Sequence, residues 1–264
     1  MKPPGQHPAS RLLLIPVAAA VLLFALPLLG LLVRAPWQQF AAQLCSPPVL
    51  DALWLSLQCA IAAAALSCVL GLPLAVWLAQ GATWSRSCVR ILVTLPMVLP
   101  PVVGGVALLL AYGRRGIAGG ALAGWLGITL PFTTAGVVLA ETYVAMPFFV
   151  LTAEAGLRSF DRRYALAAAT LGAGPWRTFW QVTVPMVAPS LQAGLVVACA
   201  RALGEFGATI TFAGNLAGRT RTVPLAVYVA LETEPEGAIV LSLLLVVLSA
   251  VMLLVLRHRW WPGR

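Results

Sequence analysis

Long apolar runs recur along this chain, and they are the feature that leaves it the fewest ways to fold. Residues 12–33 alone supply the roughly 20 helical residues needed to cross a hydrocarbon core. In that core every backbone N–H and C=O must be paired by the protein itself, which leaves only helices or closed barrels. Runs this long, apolar on every face and not alternating, select helices. Further spans are predicted at about 51–78, 91–112, 131–152, 185–210 and 239–256. The expected fold is therefore an all-α integral membrane protein with six transmembrane helices, one domain over 1–264 with its core at 51–256. Composition agrees, since 61% hydrophobic and 9% charged residues in a 264-residue chain cannot furnish a water-facing surface.

Residues 1–11 are basic and contain proline, but run 12–33 is longer than the apolar part of a secretory signal. Arg34-Ala-Pro-Trp is also not a small-residue cleavage site, so a retained first span is expected. With the N-terminus inside, Lys2, Arg11, Arg86, Arg90, Arg158, Arg162, Arg163, Arg177, Arg257, Arg259 and Arg264 fall on the inner side. Only Arg34, Arg114, Arg115, Arg219 and Arg221 fall outside, and Arg201 lies within a span. That bias predicts a multi-pass protein with both ends cytoplasmic. The net charge of +9 is scattered over the ends of apolar runs and gathers in no basic domain, which argues against nucleic acid as a partner. The lipid bilayer is the partner that this pattern requires.

Chemistry-bearing constellations are scarce. Cys45, Cys59, Cys68, Cys88 and Cys199 form no C-x-x-C pair, and His7 and His258 stand near the chain ends. No catalytic residue, metal site or cofactor site is expected. No G-x-x-x-x-G-K-[ST] motif occurs, so a pump built on this chain must take its ATPase from a partner.

Two spans break the apolar pattern. LPMVLPPVVGG carries Pro96, Pro100 and Pro101, each of which removes a backbone donor. The span is then either the wall of a water-filled path or a kinked packing helix. ARALGEFGATI places Arg201 and Glu205 four residues apart, on one face of a continuous helix. Either they neutralise one another, or they set where a pathway closes. Thr209, Thr211 and Asn215 follow as hydrogen-bonding groups. Glu141, in the fourth span, either pairs with Arg201 or bonds its own helix. An external turn over 215–222, with Thr220 and Thr222 beside Arg219 and Arg221, either attracts an anion or an acidic surface on a delivery protein or is plain solvated charge, and a short amphipathic helix is expected to follow over 223–232.

Between spans lies YALAAATLGAGPWRTFWQVTVP, residues 164–185. Asp161 is placed to cap a short helix that Gly172 ends in a left-handed conformation, and Gly174-Pro175 starts a second one. Trp176, Phe179, Trp180 and Thr183 share that second face. Such a face either packs on this chain's own helices or anchors in a partner's groove.

This segment resembles the cytoplasmic EAA loop of ABC-importer permeases, whose pattern is E-A-A, three residues, G, nine residues, I-x-L-P. Ala167 and Ala168 align with its alanines, Gly172 with its glycine and Pro185 with its proline, while Leu166 stands in place of the usual glutamate. The resemblance implies a coupling loop at 158–183, with Ala167, Ala168, Gly172, Ala173, Pro175, Trp176, Phe179 and Pro185 as the residues that engage an ATPase. LPMVLPPVVGG, PFFV at 147–150, ARALGEFGATITFAGN and GRTRTVPLAVYVALE extend the likeness over about 56–232, to the permease subunit of bacterial molybdate ABC transporters.

That family implies the six-helix importer fold in the bacterial inner membrane, working as a homodimer with two cytoplasmic ATPase subunits and an external oxyanion-binding protein. It also implies a pathway to which Pro96, Pro100, Pro101, Glu141, Arg201, Glu205 and Thr209 are candidates. Sulfate and thiosulfate permeases share the ARALGEFGA-like stretch, so the related expectation is a sulfate carrier. Two other classes are a membrane-embedded enzyme, for which no nucleophile and base are suitably spaced, and a passive anion channel or scaffold subunit, for which the docking loop would have no purpose.

Overall fold

A computed structural model describes residues 9–260, all helix and connecting turns with no strand among them. The expectations resting on Lys2, His7 and Arg264 fall outside the described residues. Five helical stretches are long and apolar enough to cross a bilayer: Leu13–Arg34, Pro47–Ala79, Thr134–Ser159, Pro175–Leu203 and Pro235–Leu254. The first belongs to α1 (Ala9–Arg34), and a short α2 (Phe40–Leu44) leads into α3 (Pro47–Ala79).

The packed centre is a three-helix core of α3, α7 (Thr134–Ser159) and α10 (Val184–Leu203). Along α3 the buried positions Ala60, Ala63, Ser67, Gly71, Ala75 and Leu78 recur three or four residues apart, which puts them on one face. Small residues there let helices approach closely where lipid gives no hydrophobic drive. Phe149 and Val150 of α7 fill the space, and a Cβ on Gly71 would sit 2.9 Å from the Phe149 ring. On the other flank of α7, Gly156 faces Ser190 of α10 with no room for a side chain.

The predicted third span is not one helix. It divides into α4 (Trp84–Val98) and α5 (Pro101–Tyr112), parted by Leu99 at ψ 138° and Pro100 at ψ 131°. Consecutive prolines disfavour the helical region for the residue before each, and they remove two donors. Pro96 is accommodated inside α4, whereas Pro101 opens α5, where a missing N–H costs nothing.

The fifth span starts earlier and ends earlier than predicted. It begins at α9 (Pro175–Thr178) and passes through a π-helical segment, Phe179–Thr183, into α10. Pro185 cannot donate to the carbonyl four residues back. The helix widens just ahead of it, and the Val184 N–H reaches five residues back to the Phe179 carbonyl. The span stops at Leu203, and after a turn at Gly204–Phe206 the chain resumes as α11 (Gly207–Ala213).

The connection after α5 carries α6 (Gly119–Leu126), and α8 (Arg162–Thr170) follows α7. Arg158 belongs to the last turn of α7, so the exposed loop begins later than residue 158. The helix predicted at 223–232 is α12 (Val223–Thr233), and it lies on the protein body. Val223 and Leu225 are buried, Val227 and Ala230 meet Ala52 and Leu241, and α13 (Pro235–Trp260) pairs with it. In contrast, α1 exposes Leu13, Leu22, Phe24 and Leu29, as a helix bathed in lipid does.

Candidate functional site

The first candidate region is the turn joining α8 to α9. Asp161 Oδ1 accepts the Arg163 N–H at 2.9 Å and caps the start of α8. At the other end Gly172 adopts φ +82°. Its N–H donates to the Ala169 carbonyl, and that of Ala173 donates to the Ala168 carbonyl, both at 3.0 Å. These two bonds satisfy carbonyls that the helix end orphans, in the reciprocal pattern that needs a left-handed residue just past the helix. Thr178 N–H then bonds the Gly174 carbonyl at 2.9 Å and starts α9.

That geometry pushes large apolar side chains outward. Leu166 is 65% exposed, Leu171 88% and Trp176 74%. The rings of Trp176, Phe179 and Trp180 form a mutual cluster, with centroids 5.2–6.5 Å apart. Beneath it runs a groove of about 670 Å³, walled on the α3 side by Val69, Leu72 and Trp77. The aromatic face therefore fronts this groove opposite α3 and is not covered by it. Ala167, Ala168, Ala173 and Pro175 lie in the same turn region, while Pro185 sits one helical stretch away, exposed in the first turn of α10.

The second region surrounds the break between α10 and α11. Glu205 lies beyond the end of α10 rather than on its face, and it is 1% exposed. Its two carboxylate oxygens have separate tasks. Oε2 holds Arg201 Nη2 at 2.7 Å, and Oε1 accepts the Ala208 N–H at 2.9 Å at the start of α11. Matching its charge and its lone pairs in this way offsets the cost of burying an ionised carboxylate. Pro101 abuts the same break, and a Cβ on Gly207 would come within 2.7 Å of its ring.

Glu141 is buried on α7 and makes no ion pair with Arg201, whose guanidinium is held by Glu205. One of its oxygens has no hydrogen-bond partner among the described residues. Thr209 is also fully buried, with an unpartnered hydroxyl. Arg201 is partly accessible, and Pro100 and Pro101 are exposed, whereas Pro96 is half-buried. The break thus gathers Pro101, Arg201 and Glu205, and the residues of the α8–α9 turn form a separate region.

The 215–222 turn differs from expectation. Thr220 and Thr222 are buried, and Thr220 Oγ1 accepts the Leu216 N–H at 2.9 Å. Asn215 Oδ1 accepts from Arg221 Nε at 2.8 Å, and Thr211 Oγ1 donates to the Gly207 carbonyl. These groups fold the turn and leave Arg219 as its exposed cation.

One group escaped the sequence reading. Glu154, 5% exposed on α7, is gripped by Arg90 and Arg158. The spacing of Glu154 and Arg158 on one helix was a usable signal, but nothing local linked either to Arg90, 64 residues from Glu154.

Comparison with known proteins bears on the chain as a whole. The sequence model of the binding-protein-dependent transport system inner membrane component matches residues 71–258. A molybdenum transport system permease protein, ModB, of Mycobacterium tuberculosis is 44% identical over 254 residues, 96% of this chain and 95% of that protein. Its counterpart in Haemophilus influenzae is 41% identical over 207 residues, covering 78% and 90%. That in Escherichia coli K12 is 38% identical over 211 residues, covering 78% and 92%. Among solved structures, a bacterial ABC transporter importing alginate superimposes with a TM-score of 0.71 at 18% identity, covering 95% of this chain and 94% of the other. The inward-facing methionine transporter MetNI gives 0.61 at 18% identity, covering 81% and 96%. At that identity the structural likeness speaks to the fold.

Proposed function

This chain belongs to the binding-protein-dependent transport system inner membrane components, and on that premise we propose that it is the permease subunit of an ATP-driven molybdate importer, with tungstate a close second substrate. It forms the pathway as a pair of identical copies and catalyses no reaction itself. Two cytoplasmic ATPase subunits engage the α8–α9 turn, and an external binding protein delivers the oxyanion. The observation that carries this reading is the 44% identity to a molybdenum permease over 96% of the chain.

Two physical features support it. Leu171 and Trp176 are too exposed and too large for a free surface, and a partner that covers them at the cytoplasmic side gives them a role. Arg201 is already neutralised by Glu205, so the break offers a dianion no free cation in which to become trapped. Selectivity then rests with the delivery protein, and the membrane subunit lets the anion pass.

Vesicles holding this chain, the ATPase and the binding protein are expected to take up labelled molybdate only when all three are present. Excess tungstate competes and sulfate competes weakly. Equal competition by sulfate would reassign the cargo to sulfate or thiosulfate, and ATP-independent flux would make the chain a passive channel.

Orientation has its own test. Cys45 and Cys88 are both exposed, one before α3 and the other on α4. With both chain ends cytoplasmic, an impermeant thiol reagent applied to intact spheroplasts labels Cys45 and spares Cys88. The reverse pattern would turn the chain over.

A further inference from the structure

Glu154 lies in the last turns of α7, beside the last turn of α3 and the middle of α4. Its Oε1 holds Arg90 Nη2 of α4 at 2.5 Å and Arg158 Nε of α7 at 2.8 Å. Both guanidinium groups also reach the Leu78 carbonyl in the last turn of α3, at 3.5 Å and 3.3 Å. One buried carboxylate and one orphaned helix-end carbonyl therefore organise two arginines. Those arginines belong to different chain segments, and each segment leads to one of the two regions described above.

Arg158 is followed within three residues by Asp161, the cap of α8, so its backbone runs directly into the docking turn. Arg90 lies on α4, which continues through the Leu99–Pro100 break into α5. There Pro101 abuts Gly207, and Gly105 packs against Thr211 with no room for a side chain. The third partner, α3, places Trp77 and Gln80 beside Trp176 and Trp180 in the groove under the aromatic cluster. Arg86 donates to Gln80 Oε1 at 3.1 Å and lies over the Trp77 ring.

We propose that the Arg90–Glu154–Arg158 junction is the linkage that carries movement of the docking turn to the α4–α5 segment and hence to the α10–α11 break. Glu154 is its pivot, and Arg90 and Arg158 are positioning residues. The inference rests on the transporter reading above. α4 is joined to α5 across the short Leu99–Pro100 break, so movement at the end of α7 passes along α4 to α5 only if α4 is tied to that end. Apolar contacts alone would let those ends slide. Charge-assisted hydrogen bonds with fixed geometry resist sliding and remain intact when the helices move as a body.

The test uses the complete complex in vesicles and reads substrate taken up per ATP hydrolysed. Arg158→Gln removes the link nearest the docking turn but leaves Arg90 on Glu154, so the protein still folds. It is expected to bind the ATPase and hydrolyse ATP, with uptake per ATP reduced about tenfold. Arg158→Lys, which keeps the charge, restores part of the ratio, and Arg90→Gln lowers it to a similar extent. Lower membrane levels with an unchanged uptake-to-hydrolysis ratio in both glutamine variants would overturn the proposal and leave a structural brace. A wild-type complex that shows no ATP-dependent uptake would instead count against the transporter reading itself.

Discussion

Replacing Gly172 with valine is expected to abolish uptake while the chain still reaches the membrane. Gly172 holds φ +82°, and nothing lies within 4 Å of where a Cβ would stand. Space is therefore not the obstacle. The obstacle is the left-handed backbone, which a β-branched side chain resists at a cost of about 1–3 kcal/mol. To escape it, the turn must give up the N–H bonds from Gly172 and Ala173 that close α8. Leu171 and Trp176 then no longer project together, and the surface proposed to meet the ATPase is lost. Asparagine tolerates this conformation, so Gly172→Asn is expected to keep most of the uptake. Membrane level, ATPase capture and uptake, measured together for both variants, separate a backbone effect from general misfolding. Valine performing like asparagine would remove the turn from the coupling surface.

Glu205→Ala is expected to be the most destabilising single change near the break. It takes away the partner of Arg201 and the acceptor for the Ala208 N–H at once. A partly accessible guanidinium left without its carboxylate costs less than the about 3–5 kcal/mol of a fully buried pair, and the lost cap adds to it, together a sizeable part of the margin that holds any folded protein together. The expected readouts are a lower midpoint of thermal unfolding in detergent and a lower amount of protein in the membrane. Glu205→Gln keeps the acceptor and loses only the charge, so it falls between. The double variant Arg201→Ala with Glu205→Ala removes both charges and is expected to regain most of the stability, because no ion is then left unpaired. A double variant no more stable than Glu205→Ala would mean that the cap to α11, and not the ion pair, does the holding. Once that variant folds, its uptake assigns the pair: normal uptake makes it a packing device, and lost uptake places it in the pathway.

The sequence was most legible where the physics is local. The α8–α9 turn could be laid out residue by residue because a cap, a left-handed glycine and a helix-starting proline each act within about four residues of themselves. The observed bonds at Asp161, Gly172 and Gly174 lie within that distance. Where a local rule met a longer apolar run, the run misled. Hydropathy sees 91–112 as one span because proline and glycine do not lower it much, whereas the backbone breaks at Leu99–Pro100. The same blindness extended the fifth span through Gly204–Phe206 and hid the π-helical segment ahead of Pro185.

By itself the sequence determined that the chain must be helical and membrane-embedded, where its tight turn lies and which residues form that turn. Each of these follows from solvation or from steric limits on neighbouring residues. Only the tertiary structure decided which charges meet. Arg201 had two candidate carboxylates, Glu141 and Glu205, and Arg90 had no visible partner at all. Pairing depends on which helix faces come together, and that is set by the stripe of small residues on α3 and the bulk of Phe149 and Val150 against it. A buried charge goes to the partner that packing brings within reach, so Glu205 holds Arg201, Glu154 holds two arginines, and Glu141 is left without either.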